Sequence, residues 1–268
     1  MNNKLKKPGT AVITGASAGL GRIYADRLAK RGYDLLLVAR RGELLDVLAQ
    51  SLGASYGVKV NTMVADLGDA QNLDAVAQAI SSDERITMLV NNAGTATLST
   101  IAKSTQAGTA AMISINITAL TRLSIVALAA FKERDEGTII NLGSVLGFHT
   151  TPLSAVYSGT KSFVLSFTRG LQDEAAGTHV RVQLVLPATT ATEIWDVAGV
   201  PLSALDPAII MTLGDCVDAA LAGLDRGEAI TMPSVQDLSL LTAYDSARQK
   251  LYSGSRTGQP ASRYTHAA

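Results

Sequence analysis

Cysteine is almost missing from this chain. Cys216 stands alone among 268 residues, so no disulfide can form within it, and the usage fits a reducing compartment. Aromatic residues are equally scarce at 4% against 47% hydrophobic residues overall, so the core must be built from Ala, Val, Ile and Leu. Neither sign of charge is in excess: 23 Lys and Arg balance 23 Asp and Glu. Nucleic acids and anionic membrane surfaces both select a basic excess, and neither is an expected partner. The three histidines, His149, His179 and His266, show no metal-ligand spacing and no carboxylate partner pattern, so no metal site is expected. No apolar run approaches the length of a membrane span. The start, Met1–Lys7, is basic like a signal n-region, but Gly9–Gly15 breaks into a glycine loop where an apolar segment would have to follow. The expected setting is the cytoplasm.

What is present is an alternation of two periods. Short β-rich runs occur at Thr10–Thr14, Asp34–Ala39, Val58–Val64, Ile86–Asn91, Thr138–Leu142, Val180–Leu186 and Ala229–Met232. Between them lie helical spacings at Leu20–Arg31, Glu43–Leu52, Ala70–Ile80, Ala110–Glu133, Ala155–Ala176 and Asp215–Leu224. Continuous apolar strands separated by helices predict an α/β fold. Right-handed crossovers then give a Rossmann-like, doubly wound parallel sheet of about seven strands, covered by helices on both faces. The length suits one domain spanning residues 1–268, with a polar, poorly periodic tail at about 253–268.

The first strand runs into Thr14-Gly15-Ala16-Ser17-Ala18-Gly19-Leu20-Gly21 at the head of the first helix. Glycines allow a sharp turn and close approach to a pyrophosphate, while the helix start attracts the anion. The second strand ends in Arg40-Arg41 with no acid until Glu43. An acid at this place takes a ribose 2′-hydroxyl, whereas arginine suits a 2′-phosphate, so NADP(H) is expected over NAD(H).

Farther on, Ser144 follows the fifth run, and Tyr157 and Lys161 lie four apart at the head of a helical segment. Positions i and i+4 share a helix face, so a phenol and an ammonium would occupy one small volume with the Ser144 hydroxyl arriving from a strand end. Singly, each has a plainer role: packing tyrosine, solvated lysine, helix-capping serine.

Together with Asn91-Asn92-Ala93-Gly94 after the fourth run, these motifs make the chain resemble the short-chain dehydrogenase/reductase family over roughly Gly9 to Met232. The resemblance implies a catalytic set of Ser144, Tyr157 and Lys161, with Asn116 as a fourth member that locally interrupts its helix. It implies cofactor contacts from Gly15, Ser17, Gly19, Leu20, Gly21, Arg40, Arg41, Asp66, Leu67, Asn92, Ala93, Gly94, Tyr157, Lys161, Pro187, Thr190 and Thr192. Hydride would pass between nicotinamide and a carbonyl carbon, with Tyr157 as general acid or base and Ser144 holding the carbonyl oxygen. A nearby ammonium and an oxidised nicotinamide would lower the phenol's pKa. Two departures stand out. The family's P-G-x-V/I-x-T appears as Pro187-Ala188-Thr189-Thr190-Ala191-Thr192, and position 18 is Ala where many NADP-dependent members carry a second basic residue.

The stretch at about 189–213 strings Ile194, Trp195, Val197, Val200 and further apolar residues between Gly199, Pro201 and Pro207. It reads as a lid, and equally as core filling by a short helix pair. As a lid it points to a small, largely apolar ketone, aldehyde or secondary alcohol, with Ser144, Leu146, Tyr157 and Trp195 as substrate contacts. The helices around 110–131 and 155–176 are apolar on more than one stripe, which fits burial beneath a neighbour or a homodimer or homotetramer interface. Two other readings of the whole remain: a catalytically quiet NADP(H)-binding redox sensor or assembly protein, and an epimerase or dehalogenase on the same scaffold.

Overall fold

The computed structural model describes residues 8–198 and 201–265, with only the backbone of Asp196 and Val197. Met1–Lys7, Gly199, Val200 and His266–Ala268, and the side chain of Val197, lie outside that description, together with what the sequence assigned to them. The described residues form two units, one ending at Ser234 and one beginning at Val235.

In the first unit seven parallel strands run in the order β3-β2-β1-β4-β5-β6-β7: β1 Thr10–Thr14, β2 Asp34–Ala39, β3 Val60–Val64, β4 Ile86–Asn91, β5 Gly137–Leu142, β6 Val180–Val185 and β7 Ile230–Thr231. Successive strand residues point to opposite faces, and away from the edge strand β3 both faces are buried. Thus Ala11 and Ile13 join one core with Tyr24, Leu28 and Leu221, while Val12 joins the other with Leu73, Ile80, Leu123 and Phe131. This two-sided burial is why the strands read as continuous apolar runs rather than alternating ones.

Helices α1 (Gly19–Lys30), α2 (Gly42–Tyr56) and α3 (Ala70–Ser82) follow the first three strands. Capping explains the starts of α3 and α8 (Leu213–Asp225): Asp69 accepts from the Asn72 amide at 2.9 Å, and Thr212 from the Asp215 amide at 3.1 Å. Between β4 and β5 comes one long rod: α4 (Gln106–Ile113), a π-helical turn over Ser114–Ala119 and α5 (Leu120–Arg134). Helix α6 spans Ala155–Ala175, and a single turn, α7, spans Ile194–Val197.

Two expectations need correction. The Gln106–Arg134 rod, 29 residues, is long and apolar enough by length and composition to cross a membrane, contrary to the sequence estimate. Along the sequence Thr109, Ser114, Asn116, Thr118, Thr121, Arg122 and Ser124 break this stretch, so it holds no unbroken apolar run. The rod's buried side, Leu123, Ala127, Leu128 and Phe131, packs within the sheet's core. The second unit also holds a helix, α9 (Ser239–Ser255), that the sequence reading did not include. Its apolar residues, Leu240, Leu241, Tyr244, Leu251 and Tyr252, do have helical spacing, but charges interleave them and none is buried.

Candidate active site

The order 3-2-1-4 reverses direction between β1 and β4, and the crevice at such a switch point, outside the carboxyl ends of the strands, is where doubly wound sheets take ligands. The turn after β1 and the turn after β4 meet there. Both backbone amides at Asn92 and Ala93 donate to the Thr14 hydroxyl at 3.0 Å, and the Asn92 side-chain amide donates to the Thr14 carbonyl at 2.9 Å. Gly15 sits at φ +66°, a left-handed conformation open to glycine. Gly21 is required by proximity: a Cβ there would lie 2.3 Å from the Gly15 carbonyl oxygen. Helix α1 has no side-chain cap at Ala18 and no acid in its first turn, so its first amides and its dipole face the crevice uncompensated. That is the cradle a pyrophosphate requires, and the residues fit a dinucleotide.

Beyond it, Arg41 and not Arg40 reaches back to the glycine loop, its Nε donating to Ser17 Oγ at 3.2 Å. Arg40 stays well exposed, 4.0 Å from Asp66. Asp66 accepts from the Gly68 amide at 2.9 Å, with Leu67 buried beside it.

The second half of the crevice is made by β5 and α6. Ser144 leaves β5 in extended conformation and caps the short turn Val145–Gly147 by accepting from the Leu146 amide at 3.1 Å. Its hydroxyl also acts on the Tyr157 phenol, holding the phenol's pKa down against burial, so capping and pocket roles coexist in one side chain. Lys161 is buried; its Nζ donates to the Leu142 carbonyl at 2.8 Å and lies 5.7 Å from the centre of the Tyr157 ring. Asn116 occupies the π turn. It exchanges two bonds of 2.9 Å with the Thr95 backbone and donates to Thr160 at 3.1 Å. A Cβ on Gly94 would stand 3.3 Å from Asn116 Oδ1 and 3.9 Å from Lys161 Nζ, so the Asn92–Gly94 turn packs directly between them.

The electrostatics run against expectation. Burial pushes the Tyr157 phenol up to about 12, only partly offset by the Ser144 hydroxyl, and lowers Lys161 to about 8. The anticipated lowering of the phenol by the lysine is therefore not what this cleft produces by itself. Desolvation is the larger cause at both groups, and one of the three Lys161 N–H donors is directed to the Leu142 carbonyl.

The departure at 187–192 has a structural counterpart. The Pro187 carbonyl accepts from the Val145 amide at 3.0 Å, tying this loop to the Ser144 turn. The Thr190 hydroxyl bonds its own loop at the Ala188 carbonyl and also touches Cys216, whereas Thr192 lies over Gly19. Residues 189–198 and 201–211 belong to a strap cinched at its base: Ala191 donates to the Met211 carbonyl and Met211 to that of Thr189. Trp195 is partly buried, and its indole donates to the Thr190 carbonyl at 2.8 Å. Leu146 is partly buried on the Ser144 turn.

Sequence reasoning missed Glu193, which pairs with Arg41 at 3.2 Å, and His179, which has a carboxylate partner after all in Asp135 at 2.6 Å. Asp135 stands in left-handed conformation past the end of α5, so its partner, 44 residues on, carries no sequence signal. Among the described residues no three His, Cys, Asp or Glu side chains come together as a metal site.

A crevice of this kind, with a glycine cradle on one side and a Ser–Tyr–Lys–Asn group on the other, defines a dinucleotide-binding oxidoreductase fold. The short chain dehydrogenase family profile matches residues 9–199, and the chain belongs to that family. Among solved structures it is similar to a short-chain dehydrogenase from Sphingobium yanoikuyae in complex with NADPH (42% identity, TM-score 0.93, covering 96% of this chain and 99% of that one). It is also similar to the bulky-bulky ketone specific alcohol dehydrogenase from Comamonas testosteroni (36% identity, TM-score 0.88, 97% and 99%). A curated relative, the very-long-chain 3-oxoacyl-CoA reductase of Anas platyrhynchos, is 35% identical over 196 residues, or 69% of this chain; the match spans 60% of that relative's length.

Proposed function

We propose that this chain is an NADP(H)-dependent oxidoreductase interconverting largely apolar ketones or aldehydes and the corresponding alcohols. The observation that carries the proposal is Tyr157 with buried Lys161 5.7 Å from its ring centre and the Ser144 hydroxyl acting on the phenol, at the far end of a crevice that opens on the glycine cradle and Arg41. Bound NADPH would supply the hydride. Ser144 holds the substrate oxygen, and Tyr157, a phenol kept protonated by its surroundings, gives its proton to that oxygen as negative charge develops on it. Lys161 steadies the phenolate left behind, and Asn116 fixes the Thr95 backbone next to Lys161.

The substrate class is supported by the strap, which offers Ile194 and Trp195 and has no Lys, Arg or His from Ala188 to Leu213. The name of the Anas platyrhynchos relative favours a second reading, a 3-oxoacyl-CoA substrate, but the phosphates of coenzyme A would find no cation on the strap. NADPH consumption with bulky ketones and with 3-oxoacyl-CoA thioesters decides between them. Binding of NADPH with no turnover of either class would instead indicate a sensor.

Self-association is part of the proposal. Ile113, Ile125 and Phe163 are exposed on the rod and on α6, Phe163 stacking on Phe167 at 5.6 Å. Sedimentation of Phe163→Asp at micromolar concentration should show smaller species than the parent.

A further inference from the structure

We propose that Glu193 is a built-in competitor for the 2′-phosphate of the cofactor and so a determinant of nucleotide specificity. The inference rests on the NADP(H) reading and extends it to a residue on the strap. Arg41 is held on two sides. Its Nε meets Ser17 on the glycine loop, and its Nη1 meets Glu193 Oε2, each at 3.2 Å. A guanidinium presents the same forked donors to a carboxylate as to a phosphate, so the two anions contend for one cation. Thr192, the residue before Glu193, already lies over Gly19, which puts the carboxylate at the edge of the nucleotide cleft.

Displacing Glu193 frees only the near turn of the strap. Its base stays closed by the Ala191 and Met211 backbone bonds. A nucleotide carrying a 2′-phosphate therefore takes Arg41 from Glu193 and loosens the turn that ends at Trp195. One with a free 2′-hydroxyl leaves the pair in place. Both side chains of the pair are exposed, so the competition is modest and sensitive to salt.

Trp195 is the single tryptophan of the chain and lies two residues from Glu193, so its fluorescence reports the turn without any need for turnover. The experiment titrates 2′,5′-ADP and ADP into wild type, Glu193→Gln, Arg41→Ala and the double variant, following Trp195 emission and, by calorimetry, affinity. Binding of 2′,5′-ADP should shift the emission, and binding of ADP should not. Glu193→Gln should bind 2′,5′-ADP about two- to fivefold tighter, with ADP unchanged, and the gain should vanish on the Arg41→Ala background. Equal or weaker binding of 2′,5′-ADP by Glu193→Gln, or the same emission change with both ligands, overturns the competition while leaving the cofactor assignment intact. Preference for ADP, or no binding of either ligand to the folded protein, overturns both.

Discussion

The Ser144–Tyr157–Lys161–Asn116 corner and the strap are held in opposite ways. At the corner every side chain comes from a regular element or its end, and three of the polar groups have buried or partly buried partners: Ser144 on the Leu146 amide, Lys161 on the Leu142 carbonyl, Asn116 on Thr95 and Thr160. A second buried chain of bonds, Ser124–Asn91–Asn141–Thr168, ties β4, β5, α5 and α6 together behind it. Among the described residues the strap is held by backbone bonds at its base, the Trp195 indole bond and the exposed Arg41–Glu193 pair. Reacting groups need positions fixed to a fraction of an ångström, which packed elements provide. A segment that must admit and release ligands is drawn from the weakly held part of a fold.

The sharpest way to break this contrast is Tyr157→Phe, which deletes one hydroxyl from the rigid side. Turnover should fall by about two to four orders of magnitude while NADPH affinity, read by fluorescence titration, stays within a factor of about two. Retention of most activity would remove the corner from the chemistry. Gly21→Ala attacks the cradle instead. Its methyl would meet the Gly15 carbonyl at 2.3 Å and the Asn92 side chain at 2.5 Å, backbone and bonded amide that have nowhere to go. Dinucleotide affinity should weaken roughly tenfold or more, and unchanged affinity by calorimetry would show that the loop is no cradle.

A smaller effect separates the two arginines. Arg41→Ala should weaken NADPH by about tenfold relative to NADH, and Arg40→Ala by less, because only Arg41 is anchored on the glycine loop. The reverse order in a competition titration would return the phosphate site to Arg40.

The smallest effect tests how rigid the corner is through its own titration. Burial lowers Lys161 from 10.5 to about 8, so between those values the unfolded chain binds a proton that the folded chain has lost. Stability contributed by this group therefore rises with pH across that window. The difference in unfolding free energy between wild type and Lys161→Met should climb over the same interval; a flat difference would mean that Lys161 is solvated.

Much of this could be seen from residue order. The boundaries of β1, β2 and β4 agree with the apolar runs, because a strand buried on both faces has only one way to appear in a sequence. The glycine loop, Asn92–Gly94 and the i, i+4 pair of Tyr157 and Lys161 were visible for a similar reason: each is a local pattern whose spacing sets its geometry. Helix α9 was not, since a helix with no buried face leaves only a weak stripe.

The order of residues by itself determined the winding of the sheet, the anion cradle and which side chains could share a helix face, since all of these follow from short-range periodicity and from backbone conformations only glycine tolerates. Tertiary structure alone decided that Arg41 rather than Arg40 turns to the glycine loop, that Glu193 comes 152 positions along the chain to meet it, and that burial drives Tyr157 and Lys161 away from their ordinary proton affinities. Those outcomes depend on distance and desolvation between segments remote in sequence, and no spacing along the chain encodes either.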